Sequence, residues 1–225
     1  MTRPAAALRY VGSLLFSTQR WVAPSLVLIG LMAWVWVTPP LGIDTVRVSL
    51  LVLFALAAWL GHATGSVEEA GQELVSTSSL GSAALSVVAK WTVAAALAAA
   101  FPALFVVGGC AAGVQRVSAG SIPMLGVDQA WTSLLAVVVV AATGAALGIL
   151  VASLLPGHPG WGSTVLVLAG LSQAIPGWVP VSTVSAALPQ PQHAPGPDLA
   201  VALVLGAVLA AGLVAAAVAV RRPAG

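Results

Sequence analysis

Apolar residues fill long, nearly unbroken runs in this chain, and polar residues gather in the gaps between them. The runs fall at roughly 22–38, 46–65, 84–109, 129–155, 161–188 and 199–220. A helix needs about 20 mainly apolar residues to cross a bilayer. The pattern therefore predicts an all-α membrane protein with six transmembrane helices. The first run is short, and Thr38-Pro39-Pro40 stops it. The fifth is interrupted by Pro176-Gly177-Trp178-Val179-Pro180. Residues 161–175 reach only about 22 Å as a helix, against a hydrocarbon core of about 30 Å. Residues 181–188 are apolar enough to dip back in, so the fifth span is predicted to be broken or re-entrant. Irregular backbone at that depth is tolerated only where protein or a water-filled cavity covers it. Because of this break, four or five spans are the alternative count.

Composition supports the membrane class. The chain is 60% hydrophobic and 6% charged, with a mean hydropathy of +1.05. A soluble domain carries about 25% charged residues. The eight basic residues lie scattered and form no patch, so nucleic acid is not an expected partner. The single cysteine, Cys110, excludes an internal disulfide and a cysteine-based zinc cage. Trp21, Trp131, Trp161 and Trp178 stand at run ends, where an interfacial belt places tryptophan. The long basic lead before residue 22, with no small-x-small site after the first run, reads as retained sequence rather than a signal peptide.

Charge sets the orientation. With the N-terminus inside, Arg3, Arg9, Arg20, Lys90, Arg221 and Arg222 lie on the cytoplasmic side, and only Arg47 and Arg116 outside. The positive-inside rule selects this arrangement, with both termini cytoplasmic. Three parts follow: an amphipathic lead at 1–21, a six-span unit at 22–220, and a short tail at 221–225. Asp44, Asp128 and Asp198 each precede an outer helix start, where N-capping is the expected role. Lys90, at the start of the third span, is expected to snorkel to the headgroups.

Two cytoplasmic segments are amphipathic. In residues 5–20, Leu8, Val11 and Leu15 share one helical face, and Arg9, Ser13 and Arg20 another, which describes a helix lying along the inner leaflet. Residues 66–79 place Val67, Ala70 and Leu74 on one face and Glu69, Gln72, Glu73 and Ser76 on the other. Ser66 with Glu69 has capping-box spacing, and Glu68 and Glu69 suit the positive end of a helix. Three acids there run against the basic bias of inner loops. The segment reads as a docking helix for a cytoplasmic protein, or as a solvated connector.

This layout resembles the membrane subunit of an ABC-2 type transporter, in the ATP-binding-cassette exporter superfamily. The resemblance rests on the amphipathic lead and on the acidic helix Glu68-Glu69 through Gln72-Glu73-Leu74. It continues through a Ser76–Ser79 break, Lys90 near the start of the next helix, and the broken fifth span. It covers nearly the whole chain in layout. The sequence departs from the family pattern where 76–79 lacks a proline and Gly81-Ser82 replaces a basic residue. The resemblance implies a permease of a bacterial cytoplasmic membrane, paired with a second permease subunit, identical or related. It implies a separate cytoplasmic ATPase, holding ATP and Mg2+, that couples through Glu68, Glu69, Gln72, Glu73 and Leu74. Arg9 and Arg20 then belong to the interfacial helix.

The chain itself has no G-x-x-x-x-G-K-[ST] phosphate loop and no G-x-S-x-G elbow, so no cofactor and no catalytic role are expected in it. His62, His158 and His193 are far apart in sequence and suggest no metal site. The spans lack paired carboxylates, which counts against proton-driven transport. Ser172 and Gln173, just before the fifth-span break, either bond between helices or line a path. Gly144 and Gly148, Gly206 and Ala210, and Gly212 and Ala216 are small-residue steps that permit close helix packing, within the subunit or in a dimer. The expected cargo is hydrophobic or amphipathic: a drug, an antibiotic or a lipid. The competing expectation is a non-transporting scaffold that recruits its partner through 66–79.

Overall fold

A computed structural model describes residues 2–37, 43–68, 70–117, 127–156, 159–173, 181–188 and 197–221. All regular structure among them is helical. In chain order the helices are α1 (Arg3–Thr18), α2 (Val22–Val37), α3 (Ile43–Gly65), α4 (Ala70–Leu80), α5 (Ala83–Val117), α6 (Val127–Leu154), α7 (Pro159–Ser172), α8 (Val181–Ala187) and α9 (Pro197–Val220). Stretches within α3, α5, α6 and α9 are long and apolar enough to cross a membrane. The fold is that of a membrane protein. The 16 residues of α2 and the 14 of α7 fall short of that length. Helix α5 runs on past the expected end at 109, through Gly108 and Gly109 to Val117. Asp44, Asp128 and Asp198 stand one residue inside their helices rather than before them. The dipole argument for an acid in the first turn is unchanged by that shift.

The centre of the bundle is the α3–α6 pair, and glycine makes it. The two helices run parallel with their backbones nearly touching. A Cβ on Gly144 would stand 2.6 Å from the Phe54 carbonyl oxygen and 2.9 Å from Ala57 Cβ. One on Gly148 would overlap the Ala58 carbonyl oxygen, and one on Gly61 the Ala145 carbonyl oxygen. Gly65 meets Ala152 in the same way. The Gly144–Gly148 step therefore serves packing inside the subunit. Gly206 and Ala210 are also buried, and the Gly206 carbonyl accepts a 3.2 Å bond from Thr143 Oγ1 of α6. Gly212 and Ala216 face outward.

Contacts fix the direction of each helix. Helix α5 is antiparallel to α6: Val87 packs with Ile149, and Trp91 Nε1 donates to the Ala142 carbonyl at 2.9 Å. Helix α9 is parallel to α6, joined by Thr143 to Gly206 at one level and by Arg221 to Ser153 at the other. Helix α7 is antiparallel to α3, with Gly162 against the His62 ring and Gly170 against Ala55. Short α8 packs Val181, Val184 and Leu188 into the core with Leu50 and Ala202, at the end of the bundle where α9 begins. The fifth apolar stretch thus enters as α7 at one end and delivers α8 to the other.

Helix α1 meets α2 at 82°, through a turn with Gln19 in the left-handed region (φ 55°). Its buried face is Ala7, Val11 and Leu15, and Ala7 and Val11 pack on α5 beside Ala89, Leu85 and Val93. Leu8, expected on that face, lies at its exposed edge, because α5 and not lipid alone takes the apolar stripe.

Candidate functional site

Among the described residues, the charged side chains and their contacts collect where α3, α6 and α9 finish, α5 begins, and α1 and α4 lie across. Helix termini explain part of this gathering. The last carbonyls of a helix have no internal partners and carry the negative end of its dipole. Arg20 Nη1 donates to the Ser66 carbonyl. Arg221 Nη2 donates to the Gly65 carbonyl at 3.1 Å, while its Nε reaches Ser153 Oγ at 2.7 Å. Two arginines, remote from each other in sequence, thus hold the same end of α3.

Between α3 and α4 the chain makes a tight turn, which revises the expected capping. Ser66 does not open α4. Its N–H and Oγ both donate to the His62 carbonyl, at 2.9 and 2.8 Å, and so close α3 instead. Helix α4 continues through 76–79, the stretch expected to break. Ser78 and Ser79 donate back to the Val75 and Ser76 carbonyls within it. The break comes at Gly81, whose φ of 75° suits a residue without Cβ, and at Ser82, whose Oγ accepts the Leu85 N–H at 3.4 Å. The residues that departed from the family pattern therefore make the turn.

Glu68 is buried in that turn. Its carboxylate lies 2.6 Å from Lys90 Nζ, with side-chain exposures of 1% and 0%. The hydroxyls of Ser76, on α4, and Tyr10, on α1, lie beside the same carboxylate. Burial by itself would raise the carboxyl's pKa, but the Lys90 bond and charge, with the two hydroxyls, outweigh it and hold Glu68 below the ordinary glutamate value. Two expectations are corrected here. Lys90 does not snorkel to headgroups, because a buried counter-charge binds it one to two turns inside α5. Glu68 does not present its charge outward for the same reason. Ser76, assigned to the polar outer face, is buried as well.

The outward side of α4 carries Gln72, Val75, Ser78 and Ser79, and Val75 is 68% exposed. Glu69 lies outside the described residues, as do the side chains of Glu73 and Leu74. Arg9 is exposed on α1, as expected of an interfacial helix, and so is Arg20 despite its bond.

Ser172 and Gln173 each bond within the chain. Ser172 Oγ donates to the Ala169 carbonyl at 2.8 Å, and buried Gln173 Oε1 accepts the Val181 N–H of α8 at 3.3 Å. Gln173 thereby ties the two halves of the fifth stretch together. His62 is buried against Gly162, where any Cβ would strike the ring, so packing is its visible role. Trp21 turns inward, packing edge-on to Phe16 at 5.0 Å, whereas Trp131 is exposed. His158, His193 and Trp178, and the side chain of Trp161, lie outside the described residues. An apolar groove of about 630 Å³ opens between α5, α6 and α9, lined by Val88, Trp91, Val138, Ala142, Ala211 and Val214 among others.

These features define a class: an all-helical membrane protein with several helices long and apolar enough to cross a bilayer. Comparison with family models, with curated proteins and with solved structures finds no match to this chain.

Proposed function

We propose that the chain is the permease subunit of an ATP-driven exporter of the ABC-2 type. It would span a bacterial cytoplasmic membrane six times and act with a second permease subunit. A separate ATPase subunit, carrying ATP and Mg2+, would dock on α4 with α1 beside it. The observation that carries the reading is α4 itself: a short helix between the second and third apolar stretches, laid with α1 against the start of α5. A bare connector needs neither a helix nor an exposed Val75 on it. The alternating directions of α3, α5, α6, α7 and α9 support a multi-span bundle, and the 82° bend supports α1 as interfacial. Closure of the ATPase pair would move α4, and the bundle would pass between inward-open and outward-open states with different contacts in each. The apolar interior favours a hydrophobic or amphipathic cargo such as a drug, an antibiotic or a lipid.

The test is gentle-detergent purification from the native membrane, with mass spectrometry of whatever co-purifies. A stoichiometric ATPase with a phosphate loop is the expected partner. An intact oligomer without one would favour the scaffold, which recruits a partner through α4 but has no nucleotide cycle. Charge reversal at Glu69 and Glu73 is expected to uncouple ATP hydrolysis from transport. Unchanged coupled activity in a stably assembled variant would refute that assignment.

A further inference from the structure

Four separate elements converge on one buried carboxylate. Glu68 belongs to the α3–α4 turn, Ser76 to α4, Tyr10 to α1 and Lys90 to α5. The only covalent link from α4 to α5 is the turn at Gly81-Ser82, which alone would let α4 swing as a hinged flap. The apolar contacts nearby involve small residues, Ala7 and Ala89, with Val11 and the partly buried Leu80, Leu85 and Val93. Those contacts are non-directional. A carboxylate–ammonium pair at 2.6 Å adds a point attachment, because its attraction weakens over a small displacement.

A buried pair of this kind adds little net stability over an apolar pair of equal volume, since both ions are stripped of water. Stability therefore does not explain its presence, and geometry does. We propose that the Glu68–Lys90 pair, with Tyr10 and Ser76, is a rigid joint that makes α1, α4 and the first turns of α5 one lever. A force applied to α4 would then reach the α5 span instead of being absorbed at Gly81. Only the source of that force rests on the permease reading. Lys90 and Glu68 are positioning residues, and neither touches cargo or nucleotide.

The joint is tested by spin-label distances in the purified chain. In a Cys110→Ser background, exposed Gln72 on α4 is paired, as cysteines, with exposed Ser13 on α1 or Thr92 on α5. Narrow distance distributions are expected for both pairs, with broadening or a shift in the neutral double variant Glu68→Gln/Lys90→Met. The same narrow distributions in a folded double variant would overturn the proposal. If that variant does not fold, hydrogen exchange on the unsubstituted chain decides. Amides of α1, α4 and the start of α5 should open as one cooperative unit, and separate protection levels would overturn the joint. Neither measurement needs an ATPase. A chain that has the joint but purifies without an ATPase refutes the permease reading alone.

Discussion

Replacing Gly148 with alanine adds one methyl group at the tightest point of the α3–α6 seam. That methyl would overlap the Ala58 carbonyl oxygen and stand 2.6 Å from the His62 backbone nitrogen. Backbone cannot rotate aside as a side chain can, so the helices must part. Ordinary contact begins near 3.4 Å, which makes the separation at least about 0.8 Å at the nitrogen alone. A gap of about 0.5–1 Å forfeits a quarter to a half of the attraction of each facing atom pair. The seam also includes Phe54, Ala57, Gly61 and Gly144, so the loss is shared along several turns. Overpacking of this kind typically costs about 1–3 kcal/mol. The gain in helix propensity from glycine to alanine, about 1 kcal/mol in water, offsets part of it. A net destabilisation of up to about 2 kcal/mol is expected, about 1–3 kcal/mol below a glycine-to-alanine change with free space, and more with Gly144→Ala added. Gly212→Ala is the matched control, because nothing lies within 4 Å of its Cβ position. It should be neutral or mildly stabilising. The assay is thermal or denaturant unfolding in detergent, followed by tryptophan fluorescence, with the oligomeric state read in parallel. If Gly148→Ala matches Gly212→Ala in stability, the close seam does not exist. If it keeps its stability but loses an oligomer, the glycines serve a dimer instead.

Three other expectations follow from the polar end of the bundle. Lys90→Met should destabilise the fold by about 3–5 kcal/mol, since it leaves a buried carboxylate unpaired, and adding Glu68→Gln should recover most of that loss in the same unfolding assay. Because Glu68 is held below its ordinary pKa when folded, its contribution is complete above the unfolded value, near 4.3, and fades as pH falls through the lower folded value. Unfolding measured between pH 3 and 6 should show stability dropping at the acid end, with a shallower drop in Glu68→Gln. Arg221→Ala removes bonds to Gly65 and Ser153 and should cost about 1–3 kcal/mol, while Arg221→Lys should restore only part, because an ammonium cannot reproduce the forked geometry.

The helices were legible because long apolar runs have clear edges. The run expected at 22–38 is α2 at Val22–Val37, and that expected at 199–220 is α9 at Pro197–Val220. Proline and glycine at the edges give such boundaries whatever the tertiary fold. The caps were less legible, because a serine between two helices can serve either. Ser66 has the spacing to open α4, yet its nearest free carbonyls belong to α3. The family pattern also drew the α4–α5 break to the serine-rich stretch, whereas Gly81, the one glycine between Leu80 and Ser82, was the better physical signal. The pairing of Glu68 with Lys90 was not legible from spacing, since periodicity describes one helix and not its neighbours. One sign was available: Lys90 sits between Val87 and Ala94, deep enough that a charge there needs a partner. Likewise Gly144-x-x-x-Gly148 announces a close approach without naming the helix that approaches.

The distribution of charge bears on how the bundle could be driven. Along the α3–α6 seam the glycines meet backbone carbonyls and alanine methyls. At the α1–α4 end, Arg20, Lys90 and Arg221 each engage the chain itself: the end of α3 or the carboxylate of Glu68. Cations counted in the positive-inside expectation thus also brace one end of the bundle. Bracing is useful where load is applied. A secondary carrier gains its energy at ionisable groups near mid-membrane, and its stiffest polar contacts would be expected there. Among the described residues, the charged contacts gather beneath α4, the helix with an exposed apolar residue and an open polar face. Energy that enters the bundle through α4 would meet the α3, α5, α6 and α9 ends together. That arrangement is what ties the permease reading to the Glu68–Lys90 joint: a docking helix held by a slack hinge would turn under its partner without moving a span.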